Sequence, residues 1–425
     1  MLMPLAFCVM VRIGFLFLLF ILLLPLPGLS QQLPFADSDT VYFRGNRKKI
    51  TIPFKLVHNL IIIPVQINSS NSLNFILDSG VKHTLITKLF YTDSLDINNA
   101  REIEVKGLGT GYTIKALYSA GNRLVMPGIE GKNQQVYVLM EDVFNLSTRM
   151  GMPVHGIIGY DIFKNFIVKI NYSSQELTLY RPDTKVKKHK RAEEYPLYIE
   201  QNKAYVYGKV SQHNGDTISV KLVIDTGASH TLSLYLPSHN KLALPPKVMQ
   251  AYLGRGLSGD INGKIGRLNS FTLGKYELTN MPASYPDTEA IQAALNLSNR
   301  NGSLGSDVLK RFTVVLDYPH KRMMLVPNRK YKEPFQYNLA GFELTTPLPG
   351  TNFYVVSNVI DGSPAKLKGL MPGDQLINIS GRDCTELDLN NVLKLMEGRP
   401  GSRLRMQLRR DSKLINVDLV LQSAI

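Results

Sequence analysis

The chain has 425 residues, 44% of them hydrophobic and 20% charged, with a formal net charge of +15 and two cysteines. That balance fits a globular protein of two or three domains and excludes a disordered chain or a multispanning membrane protein. Two cysteines, Cys8 and Cys384, cannot supply a disulfide framework or the partners that a thiol protease or a zinc site needs.

Residues 13–27 form an apolar run preceded by Arg12 and followed by Gly28-Leu29-Ser30, the pattern of a secretory signal peptide with a small-residue cleavage site. The run falls short of the ~20 residues that span a bilayer. Residues 1–30 are therefore expected to be removed, leaving an extracytoplasmic protein, periplasmic or secreted. Membrane attachment is expected only if the segment stays uncleaved. Export argues against nucleic-acid binding despite the positive charge. With Cys8 removed, Cys384 is expected to be a small buried hydrophobe.

The next segments read as strands. Ile61 to Ile67 precedes a turn rich in Asn and Ser, and Phe75-Ile76-Leu77 then runs into Asp78-Ser79-Gly80. Gly107-Leu108-Gly109-Thr110-Gly111 continues into alternating strand residues rather than a helix, which argues against a nucleotide-binding loop and for a mobile hairpin. Ile157-Ile158-Gly159 leads into one short helix, with Asp161 placed to cap it. A hairpin from Phe166 to Tyr180 closes this half. The basic stretch 183–194, with Lys185, Lys187, Lys188, Lys190 and Arg191, reads as a solvated linker.

After the linker the pattern repeats. Ile224-Asp225-Thr226-Gly227 stands 147 residues beyond Leu77-Asp78-Ser79-Gly80, and Ser303-Leu304-Gly305 stands 146 beyond Ile157-Ile158-Gly159. Gly254, Gly256 and Gly259 mark a second glycine-rich hairpin, and Asp307 a second helix cap. One Asp-x-Gly is an ordinary turn. Two at equivalent places in a duplicated β architecture, each after an apolar run, point to a pair of carboxylates working together.

These motifs resemble the retropepsin and pepsin group of aspartic peptidases over about residues 50–330. The resemblance implies a mainly β fold of two homologous lobes, 31–182 and 195–330, in a pseudo-two-fold arrangement. It also implies a catalytic pair, Asp78 and Asp225, supported by Ser79, Gly80, Thr226, Gly227 and Ser229. Gly109 and Gly256 would sit in flaps over an extended peptide or protein substrate. No metal or other cofactor is called for, because two carboxylates sharing one proton can activate water by themselves. Lobe one departs from the pattern, with Val81-Lys82 where lobe two has Ala228-Ser229, and Ser303 is a polar departure in the second triplet.

Residues 336–425 change texture. Leu339-Ala340-Gly341-Phe342, Gly362-Ser363-Pro364-Ala365 and Pro372-Gly373-Asp374 resemble a bacterial-type PDZ domain, a small α+β module. That resemblance implies a carboxylate loop at 339–342 and binding of a C-terminal or extended peptide by strand addition. The expected function is an exported aspartic endopeptidase whose PDZ domain recruits substrate or partner. The alternative is an inactive peptidase scaffold serving as a PDZ-based envelope adaptor.

Overall fold

Strand Thr217–Ile224 alternates exposed and buried residues at its start and is buried throughout from Val220 to Ile224. Strands covered on both faces show such unbroken burial. Its counterpart in lobe one, Leu73–Leu77, has the same character, and each strand delivers its chain directly into an Asp turn. The computed structural model describes residues 40–425 except Thr110, Tyr112, Ser298 and Ala424. The expected signal peptide lies outside the described residues.

The duplication in sequence is a duplication in topology. In lobe one, Leu60–Ile67, Leu73–Leu77, Gly156–Ile158, Thr84–Ile86 and Ile129–Leu139 lie side by side in that order. In lobe two the order is Lys203–Ser211, Thr217–Ile224, Gly302–Leu304, Leu232–Leu234 and Tyr276–Pro286. Long hairpin strands, Ile114–Met126 and Gly259–Leu273, then return to the first strand and close each sheet on itself. The short strand after each crossover runs parallel to the strand before the Asp turn, setting Ile158 beside Leu77 and Leu304 beside Ile224.

A six-stranded sheet joins the lobes. Its central pair is Ile167–Asn171 from lobe one against Phe312–Asp317 from lobe two, in register from Ile167 opposite Asp317 to Asn171 opposite Thr313. The two terminal hairpins read from the sequence thus form one sheet, flanked by Lys49–Pro53 and Glu193–Pro196. The last of these strands begins inside the stretch taken as linker. The basic residues before it, Lys185 to Arg191, are exposed apart from the half-buried Val186.

The short helices occur at Tyr160–Phe163 and Ser306–Leu309, but Asp161 and Asp307 do not cap them. Gly159 and Gly305 hold the cap positions, and the carboxylates lie within the first turn, where they pair with Lys164 at 2.9 Å and Lys310 at 2.5 Å.

The C-terminal domain is a sheet with the strand Phe342–Thr345 at one edge, a groove helix Leu389–Met396, and a final hairpin of Arg403–Arg410 and Lys413–Val420. Cys384 is buried in its core, and burial pushes the thiol up to about 12. This core extends into lobe one. Leu344, Leu389 and Val392 share a cluster with Val57, Leu60, Ile62, Ile76, Met150 and Val154. Hydrogen bonds reinforce the contact, from Asn390 Nδ2 to Leu56 O at 2.9 Å and from Thr346 N to Thr148 O at 2.8 Å.

Candidate active site

Ser79 and Thr226 follow the two aspartates and are fully buried, so their hydroxyls must find partners within the protein. They find each other's turns. Ser79 Oγ donates to Ile224 O at 2.7 Å and accepts from Thr226 N at 3.1 Å. Thr226 Oγ1 donates to Leu77 O at 2.8 Å and accepts from Ser79 N at 2.9 Å. Four hydrogen bonds related by the two-fold lock the turns against one another.

The lock sets the carboxylates face to face. Gly80 N donates to Asp78 Oδ1 at 2.6 Å, and Gly227 N donates to Asp225 Oδ1 at 3.1 Å. The two carboxyls stand close to one another: a Cβ placed on Gly80 would lie 3.1 Å from Asp78 Oδ1 and 3.5 Å from Asp225 Oδ1. Glycine is needed here for space: a Cβ on Gly227 would lie 2.2 Å from Asp78 Cγ. Asp78 is half-buried. Burial and the charge of Asp225 raise its carboxyl to about 8, against smaller opposing effects of the Gly80 amide and Lys203.

The two glycine-rich hairpins meet at their tips. Ser258 N donates to Leu108 O at 2.9 Å, Gly107 N donates to Ser258 Oγ at 2.9 Å, and Gly111 N donates to Ser258 O. Gly109 and Gly256 both lie at this junction. A Cβ on Gly109 would stand 2.6 Å from the backbone of Gly259, and one on Gly256 would stand 2.1 Å from Leu108 O.

Ser229 is placed differently from its expected role. Its side chain is exposed and makes no hydrogen bond to Asp225; its carbonyl instead accepts from Asn59 Nδ2 at 3.2 Å. The same Asn59 amide donates to Asp307 Oδ1 at 3.3 Å and accepts from Lys310 Nζ at 3.0 Å, tying a lobe-one turn to lobe two. Lys82 is exposed, and the cation that acts on Asp78 is Lys203. The polar departure at Ser303 is matched within its own lobe, where its hydroxyl pairs with His230 Nε2 at 2.9 Å.

At the peptide loop of the C-terminal domain, Leu339, Ala340 and Phe342 are buried, and Gly341 N is engaged by Asn338 O at 3.2 Å and Asn338 Oδ1 at 2.9 Å. Gly151 of lobe one lies against Leu389 and Thr346, at the far end of the groove between the edge strand and the helix.

Sequence reasoning did not single out Asn59, Lys203 or Arg300 as parts of this neighbourhood. Lys203 alone left a trace: it begins a strand at the place where lobe one has Leu60, so a cation stands where its counterpart is apolar.

Residues 63–162 and 208–308, the two closed β lobes around the paired Asp turns, match the aspartyl protease family model. Residues 355–410 match the PDZ domain. One curated relative is the carboxy-terminal processing protease CtpA of Bacillus subtilis (strain 168), 29% identical over 68 residues. That match covers 16% of this chain and 14% of CtpA.

Proposed function

We propose that this protein is an exported aspartic endopeptidase that hydrolyses peptide bonds with water activated between Asp78 and Asp225. The observation that carries the reading is the reciprocal lock of the two Asp turns through Ser79 and Thr226, which brings the Asp78 and Asp225 carboxyls close together. The ionised carboxyl takes a proton from the attacking water, and the protonated one supplies a proton to the carbonyl oxygen and later to the leaving nitrogen. The symmetric lock of Ser79 and Thr226 keeps both carboxyls fixed, so the site needs little reorganisation. The apolar N-terminal run supports a periplasmic or secreted setting, and the C-terminal PDZ domain is the proposed docking site for peptide substrates or partners.

An inactive scaffold would be favoured if lobe one lacked a necessary support. Its missing serine does not favour that alternative, because Ser229 itself is exposed and forms no hydrogen bond to Asp225. Asp225→Asn tests the proposal: the amide can keep the turn but cannot accept the water's proton. Hydrolysis of a mixed peptide library, followed by mass spectrometry, should fall by at least about a thousandfold with the thermal midpoint preserved. Parent-like hydrolysis by the variant would sink the mechanism.

A further inference from the structure

Beside the dyad, lobe two holds two basic side chains that the mechanism does not use. Arg300 is only 7% exposed, yet among the described residues no carboxylate pairs with it. Its guanidinium lies over the Tyr235 ring, 5.4 Å from the centroid, and donates to the Tyr235 hydroxyl at 3.2 Å. Its Nε is buried and has no hydrogen-bond partner among the described residues. Tyr235 clusters with Ile291, Ala294 and Leu108, the last from the lobe-one flap, so Arg300 sits at the roofed part of the cleft. Lys203 begins the strand Lys203–Ser211 and forms no ion pair among the described residues; the charges that act on it are Arg300, Asp225 and Asp78.

A nearby residue shows how this fold satisfies a buried cation when it is purely structural. Lys221 grips both oxygens of Glu200, at 2.7 and 2.6 Å. Lys203 and Arg300 have no such partner, and the dyad holding one proton offers a single negative charge to the two of them. Their counterparts in lobe one are apolar. Leu60 follows the left-handed turn His58-Asn59 as Lys203 follows Gln201-Asn202, and Val154 precedes Gly156 as Arg300 precedes Gly302. Leu60 and Val154 are covered by the C-terminal domain. The charge is therefore a property of lobe two alone, since the equivalent positions of lobe one are apolar and buried against the C-terminal domain.

Resting on the peptidase reading above, we propose that Lys203 and Arg300 form a basic subsite that selects peptides carrying an acidic side chain, Asp or Glu, near the scissile bond. A carboxylate there meets a lysine, a guanidinium with a free Nε and the Tyr235 hydroxyl. It completes the hydrogen bonding of the buried cations and balances their charge.

The test uses N-acetylated, C-amidated peptides, so that a side chain supplies the only carboxylate. Pairs differ by Glu or Gln at one position, scanned across the cleaved bond. The full-length protein should prefer Glu by about tenfold in kcat/KM at one position. That preference should fade as the pH falls below about 4, where the substrate carboxylate protonates. Lys203→Met should reduce the Glu/Gln ratio toward one, and Arg300→Lys, which keeps a charge but loses the Nε donor, should reduce it in part. A ratio near one at every position in the parent, or an unchanged ratio in Lys203→Met, overturns the subsite. Binding to Asp225→Asn, read by fluorescence anisotropy of the same labelled peptides, separates the two proposals. Tighter binding of Glu peptides by the variant, together with a parent protein that cleaves none of the peptides, upholds the subsite and rejects the peptidase reading; cleavage by the parent without any Glu preference does the reverse.

Discussion

Asp78 is where a single residue governs the whole site. Its carboxyl is raised from 3.8 to about 8, chiefly by burial and then by the neighbouring charge of Asp225. The folded protein thus holds a proton that the unfolded chain releases near pH 4. Two consequences follow with definite sign. Hydrolysis should decline as the pH rises through about 8, because the acid partner is lost. Folding stability tied to this proton is complete below about pH 4 and is lost as the pH rises toward about 8. Asp78→Asn should remove that slope, so its thermal midpoint relative to the parent should be higher at pH 8 than at pH 4; an equal difference at both pH values would contradict the shared proton. Lys203 holds the Asp78 carboxyl down, so Lys203→Met should move the alkaline limb of activity to higher pH. The aspartates were legible in the sequence because an apolar run ending in Asp-x-Gly is a local pattern, and it occurs twice. Ser229 was misplaced because the repeat aligns residues without saying where a side chain points, and a distant turn at Asn59 takes hold of its carbonyl.

Among the elements, the paired hairpins show what a strand pattern conveys and what it leaves out. Glycine at 107, 109 and 111 and at 254, 256 and 259 marks loops where backbones come close, and the alternation on either side marks hairpins. The partner of each loop could not be read, because the contact joins residues about 150 positions apart through main-chain atoms that every residue type possesses. Gly109 sits at φ +119°, and an added Cβ would meet the backbone of Gly259 at 2.6 Å. Gly109→Ala should therefore part the two tips. If the closed roof excludes water and presses an extended peptide onto the dyad, kcat/KM should fall by about a hundredfold. The thermal midpoint should move little, since the contact is between loop tips outside the main core. Parent-like kcat/KM would mean that the roof takes no part in catalysis.

At the scale of the whole molecule, the C-terminal domain is packed into lobe one rather than loosely tethered to it. The presence of a PDZ domain was legible from its motifs, but its docking was not. Val57, Leu60, Ile62, Ile76, Met150 and Val154 read as ordinary core residues of lobe one, and nothing in their pattern reveals that the covering surface comes from Leu344, Leu389 and Val392. A recruitment module on a loose linker could be removed without harm to the lobes, since it would act only by raising local substrate concentration. This arrangement leads to the opposite expectation. Deleting residues 336–425 would expose six apolar side chains of lobe one and break the bonds at Leu56 and Thr148. At about 1.5 kcal/mol for each side chain returned to water, the loss is on the order of several kcal/mol, a large part of a typical domain's stability. The contact also reaches the active-site roof: Arg149, one residue before Met150, lies over the ring of Tyr252 on the lobe-two hairpin at 5.5 Å. The truncated protein should therefore melt at least about 10 °C lower. It should also cleave short peptides more slowly even at temperatures where it remains folded. Differential scanning fluorimetry and single-peptide kinetics on the two forms decide the matter: an unchanged melting point with unchanged short-peptide kcat/KM would return the domain to the role of a detachable recruiter.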